Sequence, residues 1–204
     1  MSTQVLHALI AVTNWGDKNE LEYLMTHSPN AVSVFHMMGK SSYIIDANFD
    51  SKLQLEEWIA VMKGLKLSSG VPSILSLQTQ KIIDVYKQKG RFDLKNYSDA
   101  SESSHFFLHV DVVGSGDDLI GFVKDNELVH SVLHIQGEHS FVMEVIAENY
   151  YKYKEMLWMI KSLKSVNHVE TQEVIRVIKY RNQIFDESGS LVFPQEDIRQ
   201  MFTL

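Results

Sequence analysis

The sequence predicts an α+β protein built from two tandem ferredoxin-like βαββαβ sandwiches, and three observations lead there. First, one unit is spelled twice: VSVFHMMGKSSYIIDA around Gly39 returns as HSVLHIQGEHSFVMEV around Gly137, an offset of 98. The same offset carries His36 onto His134, Tyr43 onto Phe141, Ile45 onto Met143, Asp46 onto Glu144 and Val71 onto Val169. Second, short apolar runs alternate with helical stripes in the order βαββαβ, once in each copy. Third, strands such as Val5–Thr13 and Val142–Ala147 are apolar at both parities, so both sheet faces are covered. Helices cover one face, and the other copy is the natural cover for the second. The expected outcome is a pseudo-two-fold molecule.

The first copy opens on VLHALIAVT, a buried strand. Asp17 and Glu20 then form a capping-box pattern ahead of Leu21, Leu24 and Met25 at helical spacing. Pro29 stops that helix, because a proline supplies no N–H and disfavours the helical region before it. Val32–Met38 and Ser41–Phe49 read as strands about a tight Gly39-Lys40 turn. Ser51 with Gln54 caps a helix with Leu55, Trp58, Ile59 and Met62 on one stripe, and Val71–Val85 closes the copy. The second copy repeats the order. It has a strand at His105–Val113, a helix at Asp117–Asn126 and a hairpin of Val129–Gln136 with His139–Ala147. A helix at Tyr150–Leu163 and a strand at His168–Tyr180 complete it. Trp58 and Trp158 are expected in core or interface positions, and the tyrosines at 150, 151 and 153 along the core stripe. The domain reading is 1–86 for the first copy, 87–104 for a polar linker, 105–181 for the second copy and 182–204 for a tail. In the tail, Pro194 starts a short helix, and Phe193, Ile198, Met201 and Phe202 fold back onto one copy.

Composition narrows the function. A net charge of −7 argues against broad contact with a phosphate backbone. The absence of cysteine removes disulfides, thiolate nucleophiles and cysteine-ligated metals, and fits a reducing compartment. The N-terminal apolar run is too short and interrupted for a signal peptide, and no stretch reaches the length of a membrane span. The expectation is a cytoplasmic protein that binds neither membrane nor nucleic acid directly. Gly114-Ser115-Gly116-Asp117-Asp118 lacks the spacing of a phosphate loop and reads as a helix start.

The run Val129–Ala147 about Gly137, followed by Val169-Glu170-Thr171-Gln172-Glu173-Val174-Ile175, resembles the ligand-binding domain of the Lrp/AsnC regulators. The first copy matches more loosely, through Val71-Pro72-Ser73-Ile74-Leu75. The resemblance implies a dimeric α/β-barrel arrangement and an effector pocket near the hairpin turns. It also implies a small-molecule effector such as an amino acid, homo-oligomers, and association with regulators of the same family. The helix-turn-helix of that family has no counterpart before the first strand. The expected function is therefore a regulatory small-molecule-binding module, with no cofactor, no metal and no catalytic residue assigned.

On that reading the ligand-binding candidates are Gly39, Ser41 and Ser42 with Gly137, Glu138, His139 and Ser140, joined by His36 and His134. Nine histidines, five of them between His105 and His139, leave a second reading open. It is a small barrel enzyme, monooxygenase-like or haem-related, in which His36, His109, His134, Asp46 and Glu144 serve as acid, base or axial ligand in an inter-sheet cavity. Strand parity puts His130 on the face of His134, and His105 on the face of His109. His134 and Glu144 share a face if the hairpin loop has three residues, and do not if it has two.

Overall fold

Among the described residues, the apolar runs become ten antiparallel strands of one sheet, and the helical stripes become four helices packed on its outside. The computed structural model describes residues 5–16, 18–88 and 104–192. The first run is β1 (Leu6–Asn14), α1 (Asn19–His27), β2 (Ala31–Met38), β3 (Tyr43–Phe49), α2 (Lys52–Lys63) and β4 (Ile74–Gln88). The second is β5 (Ser104–Val112), α3 (Asp117–Lys124), β6 (Val129–Gln136), β7 (Phe141–Ala147), α4 (Tyr150–Lys161) and β8 (Val166–Tyr180). A hairpin of β9 (Gln183–Phe185) and β10 (Leu191–Val192) follows. Asp17 of the capping box, most of the linker, and Phe193, Pro194, Ile198, Met201 and Phe202 lie outside the described residues. Among the described residues, no helix is long and apolar enough to cross a membrane.

Within each run the strands pair in the same pattern. β1 lies between β3 and β4, with β2 beyond β3; β5 lies between β7 and β8, with β6 beyond β7. The two 15-residue strands then cross between the runs: β4 pairs with β6, and β8 pairs with β2. The circuit β8-β2-β3-β1-β4-β6-β7-β5 closes through the β5–β8 pairing, so eight strands form a barrel. Closure removes the free edges that an open four-stranded sheet would leave.

Three apolar cores result. Ile10, Tyr43, Ile45 and Phe49 meet Leu21, Met25 and Met62 of α1 and α2. Leu108 and Met143 meet Leu119, Val123, Met156 and Ile160 of α3 and α4. Leu9, Phe35, Ile44, Phe107, Leu133, Val142 and Val177 fill the barrel. Apolar residues at both parities thus have the two covers that the sequence requires. Ser51 caps α2 as expected, accepting from Gln54 N at 3.1 Å, while the Gln54 side chain accepts from Asp50 N. Asn149 caps α4 in the same way.

Several expectations need correction. The hairpin turns are not two-residue turns: four residues connect β2 to β3 (39–42) and β6 to β7 (137–140). The duplication offset also changes along the chain. Leu9 pairs with Gln80 and Phe107 with Gln172, so the last strands match at 92 rather than 98. Val169 therefore corresponds to Leu77, not Val71. The difference is a connection of ten residues (64–73) before β4 against four (162–165) before β8. On the outer surface Trp158 is 71% exposed and Tyr151 84%, so they leave the core stripe that Tyr153 keeps. Trp58 is partly buried and donates from Nε1 to Ser28 Oγ at 2.9 Å.

Candidate functional site

The two ends of the barrel differ. At one end the hairpin loops fold over the mouth. Gly39 has φ +142°, and a Cβ there would meet Gln172 Cγ at 3.2 Å; at Gly137 it would meet Gln80 Cγ at 2.9 Å. Each glycine therefore lets a loop lie on a glutamine of the other run. Gln172 Oε1 accepts from Ser41 N at 3.1 Å, and Lys40 reaches Glu138 across the mouth. Ser42 and Ser140 bond into their own strands, with Asn14 N donating to Ser42 Oγ and Val112 N to Ser140 Oγ. His139 Nδ1 is 3.0 Å from Asp111 Oδ1, and its ring lies 5.1 Å from that of His109. Burial, then the charge of His139, lowers the pKa of His109 to about 4, so it is neutral near neutral pH.

The other end holds the polar cavity. Its walls include His7, Ser33, Asp46, Gln88, His130, Ser131, Glu144, Tyr180 and Arg181 over an apolar floor of Leu9, Phe35, Phe107 and Leu133. Two histidine–carboxylate pairs stand there at the repeat offset of 98. His7 Nε2 lies 2.5 Å from Asp46 Oδ1, and His105 Nε2 lies 3.0 Å from Glu144 Oε1. They differ in access: the side chains of the first are 27% and 23% exposed, those of the second 1% and 7%. Burial opposes ionisation of Glu144. The hydrogen bond and charge of His105, with help from His130 and Ser131, outweigh it and hold the carboxyl below its ordinary pKa. Ser131 Oγ donates to Glu144 Oε2 at 3.4 Å.

Facing these pairs, His130 Nε2 lies 2.8 Å from the Tyr180 hydroxyl. Burial, then the negative charge of Glu144, pushes the Tyr180 phenol above its ordinary pKa, so it keeps its proton. The matching positions of the first run are Val32 and Gln88, which line the same cavity. The cavity is thus symmetric in its carboxylates and asymmetric in its phenol–imidazole pair. It measures about 50 Å³, room for about three to five waters.

The sequence singles out the carboxylates, and lets them meet His36 and His134 only across a three-residue hairpin loop. With four residues in each loop, His36 pairs with Tyr43 and His134 with Phe141, on the helix-facing side of the sheet. Asp46 and Glu144 face the interior, so His36 and His134 do not meet them. His36 instead stacks on Tyr43, and His134 on Phe141. A bulge between Val129 and Ser131 turns His130 inward, away from the face of His134. His105 and His109 do share the interior face, at opposite ends of the barrel. Of the hairpin candidates, Gly39, Ser41, Ser42, Gly137, Glu138, His139 and Ser140 sit at the closed end, and none lines this cavity. The missed residues are His7, Ser33, Ser131, His130 and Tyr180. Applying the offset of 98 to His105 would have found His7.

No family model and no curated protein matches the chain. Among solved structures it is similar to the siroheme decarboxylase NirDL, at a TM-score of 0.60 and 10% identity over 91% of this chain and 76% of that one. The same decarboxylase in complex with an iron-uroporphyrin III analogue gives 0.58 at 10% identity, with the same coverage. A variant of chlorite dismutase from Candidatus Nitrospira defluvii gives 0.50 at 7% identity over 86% of this chain and 93% of that one. At such identities the likeness is one of fold, a mixed α+β barrel of ferredoxin-like, dimeric α/β type. It overturns the expectation of a regulatory module in transcription. The strand, hairpin-glycine and helix pattern that suggested a regulator belongs to a fold that these enzymes also use.

Proposed function

We propose that the chain is an enzyme of the dimeric α/β-barrel type, using the inter-sheet cavity for proton transfer on a small polar substrate. The observation that carries this reading is the repeated pair, His7–Asp46 and His105–Glu144, whose two carboxylates line one polar cavity at an end of the barrel. A carboxylate beside an imidazole fixes its orientation and favours its protonated form, which is what a general acid or base needs. His7 is at the accessible mouth and exchanges protons with the substrate. Glu144, ionised and buried, holds positive charge in place, and Tyr180 donates a hydrogen bond from a phenol that stays protonated. We further read the two runs as tandem ferredoxin-like units about a pseudo-two-fold axis. The support is their matched strand order and the equivalence of Gln80 with Gln172 at the two glycines.

The tetrapyrrole bound by one of the similar structures does not fit this interior. Ligand pockets usually measure about 300–1,000 Å³, and the cavity is about 50 Å³. The sheet–helix interfaces are packed with apolar side chains. No step of the proposed chemistry therefore runs through a haem.

The test is a turnover screen of the purified protein against a metabolite extract, read by mass spectrometry. At least one small polar compound should be consumed by the wild type and spared by the Asp46→Asn, Glu144→Gln double variant. No consumption, or equal consumption by the folded variant, overturns the reading.

A further inference from the structure

At the closed end of the barrel, Gln172 serves a hairpin tip and a histidine at once. Its Oε1 accepts from Ser41 N at 3.1 Å, and its Nε2 lies 3.3 Å from His109 Nε2. All three residues are buried. A side-chain amide offers one accepting oxygen and one donating nitrogen. With the oxygen on Ser41 N, the amide N–H donates to His109 Nε2. The neutral imidazole then carries its proton on Nδ1, which is buried without a hydrogen-bond partner among the described residues. The first run has Ala11 at the position of His109, so Gln80 has no imidazole to serve. Gly39 lets the tip, residues 39–41, lie against Gln172 Cγ. Beyond the tip, Ser42 N donates to Val12 O at 2.8 Å and holds the end of the loop on β1.

We infer that Gln172 and His109 make residues 39–41 an acid-released plug: protonation of His109 costs the tip its hold on Gln172 and uncovers this end of the barrel. The reason is a count of donors. An imidazolium donates from both nitrogens, so Nε2 no longer accepts from the amide. If the amide stays, two N–H donors face each other at His109. If it turns, its oxygen accepts from His109 and its NH2 group faces Ser41 N. Either orientation leaves a buried donor without an acceptor, and moving the tip into water relieves it. The charged and titratable groups about His109 are Asp111 on its own strand, Glu170 opposite it on β8, His139 and Glu138 of the second hairpin loop, and Lys40 of the tip. Val142, opposite it on β7, is uncharged. Burial, then the charge of His139, keeps the ring neutral near neutral pH. Lys40 holds the Glu138 carboxyl below its ordinary range, so that contact outlasts mild acid. Neither His109 nor Gln172 lines the polar cavity at the other end, so the plug stands apart from the chemistry proposed there.

The experiment is amide hydrogen exchange of the full chain by NMR, on the wild type, His109→Gln and Gln172→Met. His109 titrates at about 4 under the plug and at an ordinary 6.5 once released, so the released state binds more protons in between. Protection of the Ser41 amide, relative to an unstructured chain, should therefore fall about 30-fold from about pH 7.5 to about pH 5. About 1 M urea should leave that exchange unchanged, as it does for local openings, while the β3 amides stay more protected and respond to urea. His109→Gln should keep Ser41 protected at both pH values, and Gln172→Met should lose the protection at both. The inference is overturned by a wild type without the fall, by the same fall in folded His109→Gln, or by full protection in folded Gln172→Met. It is also overturned by Ser41 exchange that follows urea in step with β3, which would be opening of the whole barrel. The spectra show whether each variant is folded, and the wild-type comparison stands without them.

Discussion

Lys40 Nζ lies 2.9 Å from Glu138 Oε1, and the two residues hold the same position in the two repeats. The two hairpin loops meet here, so each of these residues faces its counterpart in the other loop. Identical charges there would repel. The chain carries opposite signs instead, an arrangement open to two different copies and closed to two identical ones. Glu170 adds a weaker contact, 3.8 Å from Lys40.

Reversing one sign should therefore destabilise the protein, and reversing both should restore it. Lys40 and Glu138 side chains are 45% and 50% exposed, so water screens the pair and the expected cost of Lys40→Glu is about 0.5–1 kcal/mol. The Lys40→Glu, Glu138→Lys variant should recover most of it in urea unfolding. Adding salt should shrink the difference.

The loop glycines should tolerate no side chain, for unequal reasons. Gly39→Ala adds a positive-φ backbone conformation to a 3.2 Å approach, whereas Gly137→Ala meets Gln80 Cγ at 2.9 Å without that φ strain. A cost of about 1–3 kcal/mol is expected for Gly39→Ala. Gly137→Ala should cost less when combined with Gln80→Ala, since the obstructing atom is then gone. Denaturant midpoints of the two singles and the double check this.

The two histidine–carboxylate pairs should respond differently to the same change. Glu144→Gln leaves His105 facing an uncharged partner in a site nearly closed to water, and about 2–4 kcal/mol of stability should be lost. Asp46→Asn acts on a pair about one-quarter exposed, so under about 1 kcal/mol is expected. Equal losses in urea unfolding would mean that water screens the two pairs equally.

Acid should unfold the protein partly through His109. Its folded pKa is about 4 against an ordinary 6.5, so the unfolded chain binds more protons in between. Stability is fully present above about 6.5 and falls as the pH drops toward 4, by a total of about 3 kcal/mol. Glu144, with its depressed pKa, adds a loss that begins as the pH falls into the ordinary carboxylate range and is complete only below its folded pKa. His109→Gln should flatten the upper part of this dependence in urea midpoints measured across the range.

A porphyrin titration separates the acid–base reading from a haem-related one. Adding haem should give no saturable Soret shift at one equivalent, because the interior holds about 50 Å³. A stoichiometric band would place a tetrapyrrole site on this chain.

Much of this molecule was legible before its fold. The element order, the caps at Ser51 and Gln54, and the need for two covers on each sheet follow from local periodicity, which depends only on neighbours along the chain. The duplication also pointed to Asp46 and Glu144. It did not settle which histidines meet them, because a face assignment depends on the number of residues in a loop and on a bulge one residue long. Four residues at 39–42 sent His36 outward, and the bulge at His130 turned that ring inward. Crossing of β4 to β6 and β8 to β2, and the difference between the two barrel ends, arise from pairings between distant residues. Those pairings are fixed by the burial of the whole barrel core, so they are decided only when the two copies fold against each other.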